Sequence, residues 1–112
     1  MPKDYTSSLK DIQSRLGKLG AVIKPHMAAY SELHKAAVAD GALSPKVKEL
    51  MALASSICMR CEGCILFHLN AAIKAGASKE EVAESIGVAV QMGGGPAVIY
   101  GSIAAEALEQ ML

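Results

Sequence analysis

Apolar positions recur along this chain at the three- and four-residue spacing of helices, interrupted at regular intervals by proline, glycine and capping residues. Leu9, Ile12 and Leu16 set the first such run, expected from about Asp4 to Leu16 before the glycines between Gly17 and Gly20. A second run opens at Pro25, passes Met27, Tyr30, Leu33 and Ala37, and is expected to stop near Gly41. Ser44-Pro45 reads as an N-cap with a first-turn proline, opening a helix through Val47, Leu50, Met51 and Leu53. The pattern lapses from Met59 to Gly63, resumes from Cys64 to Ala75, and ends at Gly76, placed for a left-handed cap. Ser78 with Glu81 forms a capping box ahead of Val82, Ile86, Ala89 and Val90. Gly93-Gly94-Gly95-Pro96 reads as a flexible joint before a last helix running to about Gln110. The expected fold is therefore all-α, about six helices in one domain over residues 1–112.

The composition agrees. Hydrophobic residues make up 52% of the 112, almost all small aliphatics and methionines, with no tryptophan, one phenylalanine and three tyrosines. Such a set packs helices and lacks the aromatic enrichment of sheets. The last two helices carry apolar residues around much of their circumference, as in SIGVAVQM and AVIYGSIAAEAL. A helix apolar all round must be buried, and a short chain has little interior for two of them. A second copy of the chain is expected to cover part of that surface, giving a homo-oligomer.

Charge narrows the partners. Eleven basic residues balance eleven acidic ones, so no overall field draws the chain to nucleic acid or to an acidic membrane. The amino terminus, MPKDYTSSLKDIQ, has no apolar leader stretch, and no run reaches the ~20 apolar residues of a membrane span. A cytoplasmic location is expected.

The three cysteines fall within seven residues, an odd number too crowded for a disulfide scaffold. In a reducing compartment such clustering indicates redox chemistry or metal binding. With Cys61 in the first turn of a helix continuing to His68, Cys61 and Cys64 lie about 60° apart and Cys64 and His68 about 40° apart around the axis. Cysteines at i, i+3 satisfy the short Cα separation of a disulfide, and a histidine one turn beyond supplies a base. A helix N-terminus favours the thiolate, the nucleophilic form of a group whose ordinary pKa is ~8.5. Gly63 leaves room for a substrate or partner to approach the backbone between the cysteines. Glu49, early in the preceding helix, is placed to orient the imidazole if the two helices pack side by side.

Two other readings stand beside this one. Cys58, Cys61, Cys64 and His68 offer four soft or borderline donors, the number a structural zinc takes, although on one continuous helix the cysteines fan over about 120° and do not converge. The dithiol also suits a non-catalytic redox sensor whose disulfide changes its assembly. His26 and His34 have no partner at useful spacing and read as helix-surface residues, Cys58 alone reads as core, and the glycine run lacks the lysine-serine/threonine of a phosphate loop.

The segment Glu49-x11-Cys61-x2-Cys64-x3-His68, preceded by LSPKVKEL and followed by GASKEEV and MGGGPA, resembles the AhpD-like alkylhydroperoxidases of the carboxymuconolactone decarboxylase superfamily over about residues 43–100. The resemblance implies an all-α fold assembled as trimers or hexamers. It also implies reduction of hydroperoxides through a cysteine pair that an external dithiol, in some members a lipoyl-bearing protein, restores. By position it makes Cys64 the peroxide-attacking thiol, Cys61 the resolving one, and His68 with Glu49 the proton relay, with no cofactor or metal. The decarboxylase branch lacks the paired cysteines, so decarboxylation is not implied.

Overall fold

A computed structural model describes residues 3–112; Met1 and Pro2, the start of the terminus read for a leader, lie outside them. Six helices follow in order: α1 (Tyr5–Val22), α2 (Lys24–Val38), α3 (Pro45–Cys58), α4 (Glu62–Lys74), α5 (Lys79–Gly93) and α6 (Gly95–Met111). Every described residue after Lys3 that lies outside them is cap or connection.

Local chemistry sets most boundaries. Asp4 caps α1, its carboxylate accepting from the backbone N–H groups of Thr6 and Ser7. Ser44 Oγ accepts from Val47 N at 3.2 Å, with Pro45 in the first turn of α3. Ser78 and Glu81 form the expected capping box on α5: Glu81 N donates to Ser78 Oγ at 3.0 Å and Ser78 N to Glu81 Oε1 at 2.9 Å. Gly76 takes φ +96° after α4, with Ala77 N donating to Ala72 O and Gly76 N to Ile73 O. That pair of bonds is the Schellman arrangement.

Two boundaries differ from the periodicity. Helix α1 runs past Gly17 and Gly20 to Val22, because neither glycine takes the positive φ that ends a helix. The break comes at Ile23, just before Lys24-Pro25. At Gly20 a Cβ would meet Met27 Cγ at 3.5 Å, an ordinary contact, so packing against α2 does not demand a glycine there. Helix α2 stops at Val38, short of Gly41, where Ala39 turns extended and its carbonyl accepts from Lys48 Nζ at 2.6 Å.

Helix α3 packs most extensively on α4 and α5, and α6 closes the other side. Leu53, Ile57, Ile65, Leu66, Leu69 and Val82 are fully buried between them. Helix α6 contributes a small-residue face of Ala97, Gly101, Ala104 and Ala107, which allows close approach; a side chain at Gly101 would lie 3.1 Å from Ile86 Cγ2. The termini are tied together: Tyr5 N donates to Gln110 Oε1 and Gln110 Nε2 to Lys3 O, each at 2.7 Å.

The last two helices are less buried than their apolar character led us to expect. Helix α5 buries only Val82 and Ala89, and Val88, Met92, Val98 and Ile99 are all more than half exposed. Helix α2 buries no residue, and Tyr30 and Leu33 lie open. No helix among the described residues is long and apolar enough to cross a membrane.

The glycine run is a defined corner rather than a loose joint. Gly94 alone turns to φ +67°, ψ −147°, a region L side chains avoid. Gly93 sits so close to α6 that a side chain there would lie 2.7 Å from Ala97 Cβ and 3.3 Å from Cys58 Sγ.

Candidate active site

The two cysteines of the site are set by the end of one helix and the start of the next. Helix α3 ends in its own Schellman arrangement: Cys61 N donates to Ser56 O and Arg60 N to Ile57 O. Arg60 takes φ +58°, a left-handed conformation usually left to glycine. That turn reverses the chain and delivers Cys61 to the N-cap of α4, not to its first turn as the sequence reading placed it, with Cys61 Sγ accepting from Cys64 N at 3.2 Å. A sulfur at this cap meets an unpaired backbone N–H and the positive end of the helix, both favourable to an anion.

Cys61 and Cys64 form a disulfide, with Cα atoms 5.2 Å apart. The i, i+3 spacing thus yields the bonded pair from an N-cap as well as from within a helix. Cys58 takes no part. Its sulfur lies 3.4 Å from the Ala89 carbonyl oxygen of α5 and reaches the Gly93 corner instead. No group of three or more His, Cys, Asp or Glu side chains among the described residues is gathered about one point, so the arrangement proposed for a metal is not assembled.

His68 stands one turn beyond Cys64 on α4. Its Nδ1 lies 3.1 Å from Glu49 Oε2, which the packing of α3 on α4 brings across from the neighbouring helix. The Glu49 side chain is only 7% exposed and the imidazole 23%, so the pair is shielded on the carboxylate side and reachable on the other. An ionised Glu49 only accepts, so Nδ1 donates to it and Nε2 is left as the basic nitrogen of the neutral ring. Phe67 stacks edge-on to His68, ring centroids 5.3 Å apart.

The disulfide and His68 open on a cavity of about 620 Å³ lying between α1, α2 and α4. Ile12 and Leu16 of α1, Met27 and Tyr30 of α2, and Phe67 form most of its wall. Gly63 belongs to this wall, but the group that uses its missing side chain is Ile12, whose Cδ1 would be 3.3 Å from a Cβ there. His34, read from the sequence as a surface residue, is half-buried and lines the cavity, its ring 6.2 Å from Phe67; His26 is exposed as expected. The signal for His34 was present as the face Met27, Tyr30, His34 of α2, but no spacing showed that α2 lies over the cysteines.

The residues so assembled can cycle between a dithiol and a disulfide, with a carboxylate-held imidazole beside the cavity to move a proton. Known proteins share this fold. A carboxymuconolactone decarboxylase family protein from Legionella pneumophila, solved in its apo form, superposes with a TM-score of 0.93 at 40% identity, covering 98% of each chain. A Thermotoga maritima protein of the same family, for which a role in antioxidative response has been suggested, superposes with a TM-score of 0.83 at 29% identity, covering 93% of this chain and 89% of that one. An uncharacterised protein of Cupriavidus necator is 38% identical over 102 residues, 91% of this chain and 90% of its own length. The sequence model of the carboxymuconolactone decarboxylase family matches residues 24–107, from α2 through most of α6, and the chain belongs to that family.

Proposed function

We propose that this protein reduces hydroperoxides through a disulfide cycle of Cys61 and Cys64, restored by an external dithiol. The observation that carries the reading is the bonded cysteine pair sharing one cavity with His68, itself held by buried Glu49. In the reduced protein, His68 Nε2 takes the Cys64 proton. The Cys64 thiolate attacks the terminal oxygen of ROOH, the O–O bond breaks, and the imidazolium returns the proton to the departing alkoxide, giving ROH and a sulfenic acid. The Cys61 thiol then displaces hydroxide from that sulfur, forming the disulfide and releasing water. Two electrons from a dithiol or lipoyl-type donor reopen the pair by exchange through a mixed disulfide.

Cys61, at the N-cap, is the better stabilised thiolate, whereas Cys64 is one turn from the base. Peroxide attack needs a proton delivered to the leaving oxygen, which favours Cys64 as the attacking sulfur. The cycle requires a reductant, so we place it in the cytoplasm. The exposed apolar residues of α2, α5 and α6 support a homo-oligomer, for which the family resemblance implies a trimer or hexamer.

Stopped-flow mixing of pre-reduced protein with an organic hydroperoxide and a dithiol donor tests the reading. Wild type should consume peroxide catalytically and Cys64→Ser should not, while Cys61→Ser should accumulate a sulfenic acid that a dimedone probe traps. A trapped adduct only in Cys64→Ser reverses the two roles, and no peroxide consumption by wild type overturns the proposal.

A further inference from the structure

The cavity is far larger than a peroxide group requires. At about 30 Å³ per water-sized group, its volume of about 620 Å³ has room for about twenty non-hydrogen atoms, within the range of sites built for small organic molecules. The α2 side of its wall is also polarised. Along α2 the lining runs from Met27 through Tyr30 and Ser31 to His34 and Lys35, a rise of about 12 Å. Ile12 and Leu16 of α1 add apolar surface to the wall, and no carboxylate among the described residues lines the cavity. The polar end meets α4 at Phe67, through its edge contact with His34, while Ile12 meets α4 at Gly63. Cys64 lies between those two positions on α4, and the cysteine pair opens on the cavity where the α1 and α2 walls meet α4.

We propose that the cavity selects hydroperoxides of free long-chain fatty acids. The hydrocarbon tail lies against Ile12, Leu16 and Met27, the carboxylate meets Lys35 and His34, and the hydroperoxide faces Cys64. This rests on the peroxide-reducing reading and names its substrate class. Each methylene buried on the apolar wall tightens binding about fourfold. Lys35 is paired with Glu32 at 3.3 Å, but both side chains are more than 70% exposed and Glu32 does not line the cavity. Such a pair is readily exchanged for a ligand carboxylate. The step is the one already balanced, with R now a fatty acyl chain: the hydroperoxide becomes a hydroxy fatty acid, and the two sulfurs supply its electrons.

Two measurements, both below the micellar concentration of the lipid, test this. In the first, pre-reduced protein is mixed with a fatty-acid hydroperoxide, its methyl ester and hydrogen peroxide. The free acid should react about tenfold faster than the ester and about a hundredfold faster than hydrogen peroxide. Lys35→Gln should bring the acid-to-ester ratio to near one, and Glu32→Gln should keep or raise it. In the second, the oxidised protein is titrated with the redox-inert hydroxy fatty acid by calorimetry, where binding is expected and should weaken in Lys35→Gln. Equal rates for all three peroxides with no binding of the hydroxy acid would overturn the substrate assignment and leave peroxide reduction standing. Binding of the hydroxy acid with no reaction of any peroxide would keep the site and remove the peroxidase. An acid-to-ester ratio near one in wild type would remove the carboxylate contact.

Discussion

Glu49 Oε2 and His68 Nδ1 meet at 3.1 Å across nineteen residues of sequence, with the carboxylate buried beneath the imidazole and the imidazole facing the disulfide cavity. A buried acceptor on Nδ1 does two things: it fixes which ring nitrogen carries the proton, and it stabilises the imidazolium once the ring has taken a second proton. On the peroxide-reducing reading both serve proton transfer, and an isosteric acceptor at Nδ1 would keep the hydrogen bond without the charge.

Glu49→Gln should therefore separate chemistry from stability. The amide is isosteric and still able to bond Nδ1, so the urea midpoint should change little. The rate of disulfide formation by pre-reduced protein with hydroperoxide should fall about 10- to 100-fold, the scale of a weakened general base. Stopped-flow loss of thiol gives the rate. A rate equal to wild type at unchanged stability would remove Glu49 from the relay.

Gly93 is where α5, α6 and Cys58 crowd together. Gly93→Ala puts a methyl 2.7 Å from Ala97 Cβ and 3.3 Å from Cys58 Sγ, and neither neighbour is the far end of a flexible side chain. The corner must open, at a loss of about 1–3 kcal/mol, partly offset by the better helix propensity of alanine. Chemical denaturation should show net destabilisation, and Gly93→Ala combined with Cys58→Ala should recover part of it. At Gly94 space is open, so Gly94→Ala should destabilise through its positive φ alone, with no rescue at Cys58.

What the sequence made legible was chemistry acting within one turn. Ser44-Pro45, Ser78 with Glu81, and Gly76 each set a boundary through a hydrogen bond or a φ angle involving residues a few positions apart. The cysteine pair and the histidine after it were legible for the same reason. Gly17 and Gly20 misled because a glycine weakens a helix without ending it unless φ turns positive, and here proline three residues past Val22 marks the stop. The α2 wall of the cavity was out of reach. No residue of α2 is buried, so its own pattern carries no mark of what it covers, and His34 looked like any surface histidine. Arg60 hid the turn that makes Cys61 an N-cap, since an arginine gives no sign of a left-handed position.

Acid should weaken the fold through two carboxylates at helix starts. Hydrogen bonds from the Thr6 and Ser7 hydroxyls, with the Ser7 N–H, hold Asp4 at about 2. The Ser78 N–H, then Lys46 at 2.9 Å, hold Glu81 below its ordinary value. Both folded values lie below the unfolded ones of ~4, so on acidification the unfolded chain binds protons first. Their stabilisation is complete above about pH 5 and is lost progressively as pH falls toward about 2. Thermal melts across that window should show Tm falling with pH. Asp4→Asn, which caps but does not titrate in this range, should flatten the slope, and Glu81→Gln should flatten it further. An unchanged slope in the double variant would assign the acid sensitivity elsewhere.

The two Schellman ends of α3 and α4 make an internal comparison of arginine with glycine in one backbone setting. Arg60 takes φ +58° and Gly76 φ +96°, each donating to the carbonyl three residues back while its successor donates to the one five back. A side chain in the left-handed region is unfavourable by about 1–2 kcal/mol, against which glycine loses about 0.5–1 kcal/mol more conformational entropy on folding. Arg60→Gly should therefore stabilise the chain by about 0.5 kcal/mol, and Gly76→Ala should destabilise it by about as much or more. Urea unfolding of the two variants reads both signs. Arg60 is exposed and precedes Cys61 in sequence, and a cation close to a cysteine favours its thiolate. Arg60→Gly should thus gain stability while slowing thiol-disulfide exchange at Cys61 with an external dithiol, and Arg60→Lys should restore the exchange rate without the gain. A glycine variant that is no more stable would show that the arginine side chain makes up its backbone strain through contacts of its own.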